Sequence, residues 1–230
     1  MTITPLRLDY RTGNMPFLRT YTLNQAGVYG AIQTGDLIVV QAHARIFGGG
    51  SDSITVTGTW DGHIGPLTLL PVGSVRRYHL WYRRATSADV GVPITVTWGA
   101  GFHTGDPNVW ASLDVVRGGV AVFGPSVTST PVGAGTWTLD AAQPTRSALG
   151  VIYGAIQTSF ATGGANGWSR IDSSNLPVFS LPTQPPPHAD PVLNQTTDGQ
   201  AAIAFSVTDI PERHGWRLGA LGFGPRSSGF

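Results

Sequence analysis

The sequence predicts an all-β protein, built as a two-sheet antiparallel β-sandwich of jelly-roll type with a weak internal duplication. Three observations lead to this prediction. Runs of β-branched and aromatic residues recur along the chain, several of them alternating apolar and polar residues. Turn-forming residues separate these runs, and the 230 residues include 31 Gly and 17 Pro. No window shows the roughly 3.6-residue apolar repeat of an amphipathic helix.

Eight segments carry the strand signal. The two longest apolar runs, 36–47 and 148–160, are expected to be central strands, because their Ile, Val and Leu content suits burial on both faces. A single helical turn is expected at 86–89. The remaining strands are expected at 53–60, 75–84, 93–98, 109–117, 200–208 and 216–223.

The strands are expected to form one domain, since sandwiches of about 200–250 residues commonly fold as single units. We expect an N-terminal arm at 1–22, the sandwich at 23–225 and a C-terminal tail at 226–230. Two similar halves, about 31–118 and 147–224, each run from an apolar strand through a Gly-rich turn and a Trp to a Trp-led last strand.

The sequence leaves the position of two segments open. The arm 1–22 is too apolar for a free tail, so we expect it to lie extended along a neighbouring subunit or a partner protein. The alternative is that it folds back as an edge strand of its own sandwich. The Pro-rich segment 181–191 is expected to be a surface loop, because too few strands follow it to make a second domain.

Composition and charge exclude several classes of protein. The formal net charge is +1 and no basic stripe is present, which argues against a nucleic-acid partner. All 14 basic residues are Arg, a usage typical of a GC-rich genome. The absence of Cys excludes disulfides and thiolate metal sites. No apolar run is long enough for a signal peptide or membrane insertion, so we expect synthesis in a cytoplasm without a signal peptide.

No constellation of residues predicts catalysis, a cofactor or a bound metal. The six His are scattered without metal-ligand spacing. Glycoside hydrolysis needs two facing carboxylates, and Glu212 is the only Glu. Most Asp lie in turns, where they support local backbone hydrogen bonds. Asp114 is the exception, since it lies within a predicted strand.

One predicted strand, 75–84, combines aromatic and Arg side chains, as protein interfaces do. Because side chains alternate along a strand, four of the five candidates share one face and Trp81 alone lies on the other. The alternative is an ordinary strand with one core face and one solvent face. The candidate contacts to a partner or a glycan are Arg76, Tyr78, Trp81, Tyr82 and Arg84.

The order of these motifs resembles a β-sandwich module of bacteriophage minor tail proteins, of the type found in phages of actinobacteria. The matching segments are 35–37, 81–89, 94–98 and 110–118. The family usually has a Pro-Pro-x-Gly-Trp turn. At the corresponding places this sequence has only Thr59-Trp60 and Gly167-Trp168. The resemblance implies a jelly-roll, concanavalin-like fold, a place in the virion and no catalysis.

The resulting interpretation is a non-enzymatic virion structural protein, at the tail tip in assembly or host adhesion. Its expected partners are itself, as a homo-oligomer, and other virion proteins, and a host cell-surface glycan is a further candidate. The expected location is the tail or capsid surface of the virion. Two alternatives remain open, a capsid decoration protein and a carbohydrate-binding or carbohydrate-active jelly-roll module.

Overall fold

The protein, seen in a computed structural model, is an all-β antiparallel sandwich, so the predicted fold class is confirmed. The structure describes residues 3–12, 20–25, 30–46, 53–69, 75–102, 109–118, 121–130, 135–138, 141, 143–155, 165–171, 174, 176, 178–190, 192–195 and 200–208. The strands in these ranges are β1 (Thr4–Thr12), β2 (Thr20–Leu23), β3 (Leu37–Ile46), β4 (Ile54–Val56), β5 (Gly62–Leu69), β6 (Val75–Arg84), β7 (Ile94–Trp98), β8 (Trp110–Arg117), β9 (Ala121–Thr130), β10 (Gly135–Thr138), β11 (Ala148–Ala155), β12 (Ser169–Arg170), β13 (Val178–Gln184), β14 (Val192–Gln195) and β15 (Gln200–Thr208).

The strands form four sheets in the described residues, and not the two expected. Large sheet 1 has the order β1-β8-β3-β6-β5, and small sheet 1 has the order β2-β7-β4. Large sheet 2 has the order β12-β13-β11-β15-β9, and small sheet 2 pairs β10 with β14. The expected helical turn is present as a 3₁₀ turn at Ser87–Asp89.

The two halves of the chain repeat one topology. Read from its opposite edge, large sheet 2 has the order β9-β15-β11-β13-β12, which matches large sheet 1 strand for strand. The pair β10-β14 likewise matches β2-β7. The order β1-β8-β3-β6 beside β2-β7-β4 is that of a jelly roll. The repeat begins at β1 and at β9, earlier than residues 31 and 147, where the sequence pattern becomes recognisable.

The two large sheets pack face to face. Val39, Tyr78 and Leu80 of large sheet 1 meet Val151 and Ile203 of large sheet 2 in a core that excludes water. The other face of large sheet 1 packs on small sheet 1. Strand β3 is therefore buried on both faces along most of its length, as the apolar run 36–47 predicted.

The first strand corrects the expected position of the N-terminal arm. Residues 4–12 pair with β8 in large sheet 1, so they form an edge strand of their own sandwich and not a clasp on a neighbour. Ile3 and Leu8 are buried in the two cores on either side of this sheet. The bulge between Arg7 and Asp9 reverses the alternation of faces beyond it, so Leu8 packs on the small-sheet side whereas Tyr10 packs against the core between the two large sheets.

The Pro-rich segment divides between a strand and a loop. Residues 181–184 complete β13, whose first residues are apolar and buried. Residues 185–190 have no regular structure and lie along the second half of the protein, where His188 is buried. The expected strand 216–223 and the tail 226–230 lie outside the described residues.

Candidate functional site

The five candidate contact residues lie on β6, inside large sheet 1 between β3 and β5. Tyr78 is fully buried against large sheet 2. Trp81 is 6% exposed and packs in the core with small sheet 1, on the opposite face. The two rings belong to separate cores, so these two candidates do not share one surface.

The other three candidates are also committed to contacts within the fold. Arg76 is buried, at 3% exposure. The half-buried Tyr82 ring meets Phe205 of large sheet 2 edge-on, with 5.3 Å between centroids. Arg84 donates to the Gly35 carbonyl oxygen at 2.8 Å, and burial lowers the pKa of its guanidinium. A central strand that packs between two cores carries aromatic residues on both faces. Its sequence therefore resembles that of a binding surface.

Asp114 lies at the centre of a buried polar network between the two large sheets, at 2% exposure. Arg7 donates from Nε to Oδ1 at 2.8 Å and from Nη2 to Oδ2 at 3.2 Å, the two-point geometry that suits a guanidinium and a carboxylate. The Ser112 hydroxyl and the Gln41 amide donate to Oδ2 at 2.7 and 3.0 Å. The carboxylate is thus surrounded by donors from β1, β3 and β8.

The network continues into the second half of the chain. The Tyr78 hydroxyl donates to Gln41 Oε1 at 2.7 Å. Arg7 Nη2 donates to the Leu176 carbonyl oxygen at 2.6 Å, and Nη1 to the Ser174 hydroxyl. Fully buried polar groups are costly unless they are hydrogen-bonded, so this network favours one alignment of the two halves.

Tyr153 on β11 is the exception in this region. Its hydroxyl is buried and has no hydrogen-bond partner among the described residues. Burial, and secondarily the charge of Asp114, raise the pKa of Tyr153 well above its ordinary value. Burial, followed by the charges of Asp114 and Tyr153, also raises the pKa of Tyr78. Both tyrosines therefore hold their protons far into the alkaline range.

The Asp114 network is unsuited to acid–base catalysis. A catalytic carboxylate must reach the substrate, and Asp114 is nearly inaccessible to solvent. The hydrogen-bond donors around Asp114 come from Arg7, Ser112 and Gln41, so the described part of the network holds no second carboxylate. The arrangement provides hydrogen bonds to both oxygens of the buried Asp114 side chain and fixes the packing of three strands.

A second pair with catalytic residue types, Ser206 and His188, is equally enclosed. Ser206 Oγ lies 3.1 Å from His188 Nδ1, but the two residues are 0% and 2% exposed. Burial lowers the pKa of His188. The backbone N–H of His188 donates to the Gln143 side chain at 2.9 Å. The pair therefore attaches the loop 185–190 to β15, where no substrate can enter.

Three charged residues of the segments 35–37, 81–89 and 110–118 lie at strand ends or in a turn. Asp36 is 2% exposed and accepts from Arg117 Nη2 at 3.2 Å and from the Gln33 backbone N–H at 2.9 Å. Asp89 accepts from the Thr86 backbone N–H at 2.7 Å. These contacts close turns and connect β3 to β8, so the motif residues stabilise the sandwich.

An open groove of about 470 Å³ lies beside β1. Its carboxylate, on Asp9, accepts from the backbone N–H groups of Tyr10 and Asn24 at 2.8 and 2.7 Å. Gln25 donates twice to backbone carbonyls and accepts twice from backbone N–H groups. Most polar groups of this groove thus serve the fold, and Arg11 is its most exposed charge.

Sequence reasoning missed one cluster, formed by His63, His79 and Trp81. The two His are 16 residues apart and match no metal-binding pattern, but the pairing of β5 with β6 brings them together. The only signal for this contact is the strand pairing itself, which a single sequence does not specify.

Comparisons with known proteins identify no relative. No family model, curated protein or solved structure matches the chain. Within the part of the chain that the structure describes, no three His, Asp or Glu side chains group as metal ligands. That part also contains no helix with the length and apolarity needed to cross a bilayer.

Proposed function

We propose that the chain is a non-enzymatic structural protein of a bacteriophage virion, acting at the tail tip in assembly or host-surface adhesion. The observation that carries this proposal is the set of contacts that three charged residues of the matching segments make. Asp36, Asp89 and Arg117 lie in the segments that resemble minor tail proteins, and they form hydrogen bonds and ion pairs inside the fold. A module that serves architecture needs its charged residues for such contacts and not for turnover.

The absence of an accessible acid–base pair at Asp114 supports the non-enzymatic part of the proposal. The purified chain is expected to give no turnover on a panel of bacterial polysaccharides. Activity that disappears in Asp114→Asn would overturn this part, provided that the variant keeps the circular dichroism spectrum of the parent. Activity that persists in the variant would point to a different site and equally contradict a purely structural role.

The sheet edges indicate how such a protein would contact its neighbours. Bulges interrupt the edge strands β1 and β5, and Pro66 and Pro125 lie in the edge strands β5 and β9. Strand β12, at the remaining edge of large sheet 2, is two residues long. Such edges resist the addition of foreign strands. We propose that contacts with virion partners use loops and exposed strand faces.

Immunoelectron microscopy tests the virion assignment. An antibody raised against the purified chain is applied to intact virions of the phage whose genome encodes this sequence. Label at the tail tip is the expected result, and antibody absorbed beforehand with the purified chain is the matched control. Label over the capsid would favour the decoration-protein alternative. No label, together with absence of the chain from the virion proteome, would overturn the proposal.

A further inference from the structure

His63 and His79 form a pair of imidazoles at the edge of large sheet 1. Nε2 of His63 lies 2.9 Å from Nδ1 of His79. The ring planes differ by 4° and the centroids are 5.2 Å apart, so the rings lie edge to edge in nearly one plane. Both planes are parallel to the Trp81 indole within 8°, at 4.7 and 5.3 Å between centroids. The indole therefore stacks on both imidazoles.

The pairing of β5 with β6 produces this arrangement. His63 lies opposite Trp81 in the register, and His79 follows on the same face of β6, two residues away. His79 is 4% exposed, whereas His63 is exposed on the edge strand. One imidazole is thus held by its surroundings, while the other is open to solvent and free to adjust.

We propose that this imidazole pair binds a divalent transition-metal ion through His63 Nε2 and His79 Nδ1. Two nitrogens at about 2.0–2.1 Å from one ion lie about 2.9 Å apart at a right angle and about 3.4 Å apart at the tetrahedral angle. The present separation falls at the short end of this range. The His63 ring has to tilt so that both lone pairs converge on the ion, and its position on the edge strand permits that movement.

The proton balance of binding is simple. The hydrogen bond between the rings has one N–H donor and one lone-pair acceptor, and each neutral ring carries one proton. When the ion takes the place of the shared proton, the donor ring transfers its proton to its other nitrogen, so no net proton is released.

The ligand type determines which ions bind. Imidazole nitrogens suit Cu²⁺, Ni²⁺ and Zn²⁺, and the expected order places Cu²⁺ first. Mg²⁺ and Ca²⁺ prefer oxygen ligands and are expected not to bind. Because His63 faces solvent, water fills the remaining coordination positions. The ion would connect edge strand β5 to β6 and is expected to raise the thermal midpoint of the chain.

Calorimetric titration of the full, untagged chain with Cu²⁺, Ni²⁺ and Zn²⁺ tests the site. We expect one saturable Cu²⁺ site that quenches part of the Trp fluorescence, since Trp81 stacks on both ligands. His63→Gln should remove this site and the quenching, and Thr68→Ala, on the same strand, should retain both. His63→Gln is chosen because an exposed position tolerates substitution, and a circular dichroism spectrum checks its fold.

Electron paramagnetic resonance of the Cu²⁺ complex supplies a second measurement that does not depend on the variants. Two equivalent nitrogens coupled to the copper are expected. A spectrum with no coupled nitrogen would overturn the proposal, and so would unchanged Cu²⁺ binding in His63→Gln. The absence of any saturable Cu²⁺ binding by the parent chain would contradict it directly.

Discussion

Arg7 on β1 contacts both carboxylate oxygens of Asp114 on β8, at 2.8 and 3.2 Å, in the closed space between the two large sheets. The pair joins the first strand of the chain to the last strand of the first half. Since Arg7 also donates to the Leu176 carbonyl oxygen, three distant segments meet at one guanidinium. This contact makes the alignment of the two halves sensitive to single substitutions.

Asp114→Ala is expected to destabilise the protein by about 3–5 kcal/mol, because it leaves the Arg7 guanidinium in a largely dry site without its counter-charge. Chemical denaturation monitored by Trp fluorescence measures the change. Asp114→Asn, which keeps the shape and some hydrogen bonds, is expected to be milder. A loss below about 1 kcal/mol in Asp114→Ala would mean that water reaches Arg7 and that the pair has little influence on stability.

A double substitution separates the ion pair from the packing around it. When Arg7 and Asp114 are both replaced by Leu, no buried charge is left without a partner, so the loss is expected to be smaller than the sum of the single losses. Additive losses would show that the two side chains act independently.

Tyr78 and Tyr153 provide a matched pair of substitutions. Tyr78→Phe removes the donor to Gln41 Oε1 and is expected to cost about 1–3 kcal/mol. Tyr153→Phe removes a buried hydroxyl that has no partner among the described residues, so stability is expected to stay the same or to rise. Equal losses in the two variants would indicate that the Tyr153 hydroxyl is hydrogen-bonded, for instance to an ordered water molecule.

The strand positions show what a single sequence reveals about this fold. Strands β6 and β15 occur at the predicted residues 75–84 and 200–208. Strands β7 and β8 begin one residue later than predicted. All four have continuous apolar or alternating patterns, because they lie inside sheets where side-chain burial determines the residue type.

The strands that sequence reasoning missed lie mostly at edges or in small sheets. Strand β5 contains Gly65 and Pro66, and β9 contains Gly124 and Pro125, residues that usually mark turns. An edge strand tolerates them because one side of its backbone has no partner. The Asp114 network also could not be predicted, since Arg7 and Asp114 are 107 residues apart in the sequence. Only the position of Asp114 within a strand indicated a special role.

Alkaline pH is expected to unfold the protein progressively. The pKa values of Tyr78 and Tyr153 are raised in the folded state, mainly by burial, so the unfolded chain loses protons first, above its ordinary value of 10.0. Stability is therefore fully present below about pH 10 and falls by about 1.4 kcal/mol per pH unit for each such tyrosine above it. The chain has no Lys, so the other side chains that titrate in this range are mainly the four remaining tyrosines, of which Tyr21 also has a pKa raised by burial.

Urea denaturation between about pH 9 and pH 11 measures this slope. Tyr153→Phe should reduce it by the contribution of one tyrosine, and substitution of both residues should reduce it further. A slope that is unchanged in the double variant would contradict the assignment of the alkaline transition to these two groups.

Deletion of residues 1–12 tests the position of β1. This strand supplies eight paired positions along β8, the buried side chains Ile3 and Leu8, and the Arg7 guanidinium. Each fully buried aliphatic side chain contributes about 1.5–3 kcal/mol, and Asp114 would lose its counter-charge as well. The truncated chain is therefore expected to lose most of its stability as a monomer, as seen by thermal denaturation and light scattering.

Removal of residues 1–2 alone, which precede β1, is the control and should change little. If the 1–12 deletion keeps the parent's thermal midpoint but changes the oligomeric state, the segment acts between subunits and the edge-strand assignment fails.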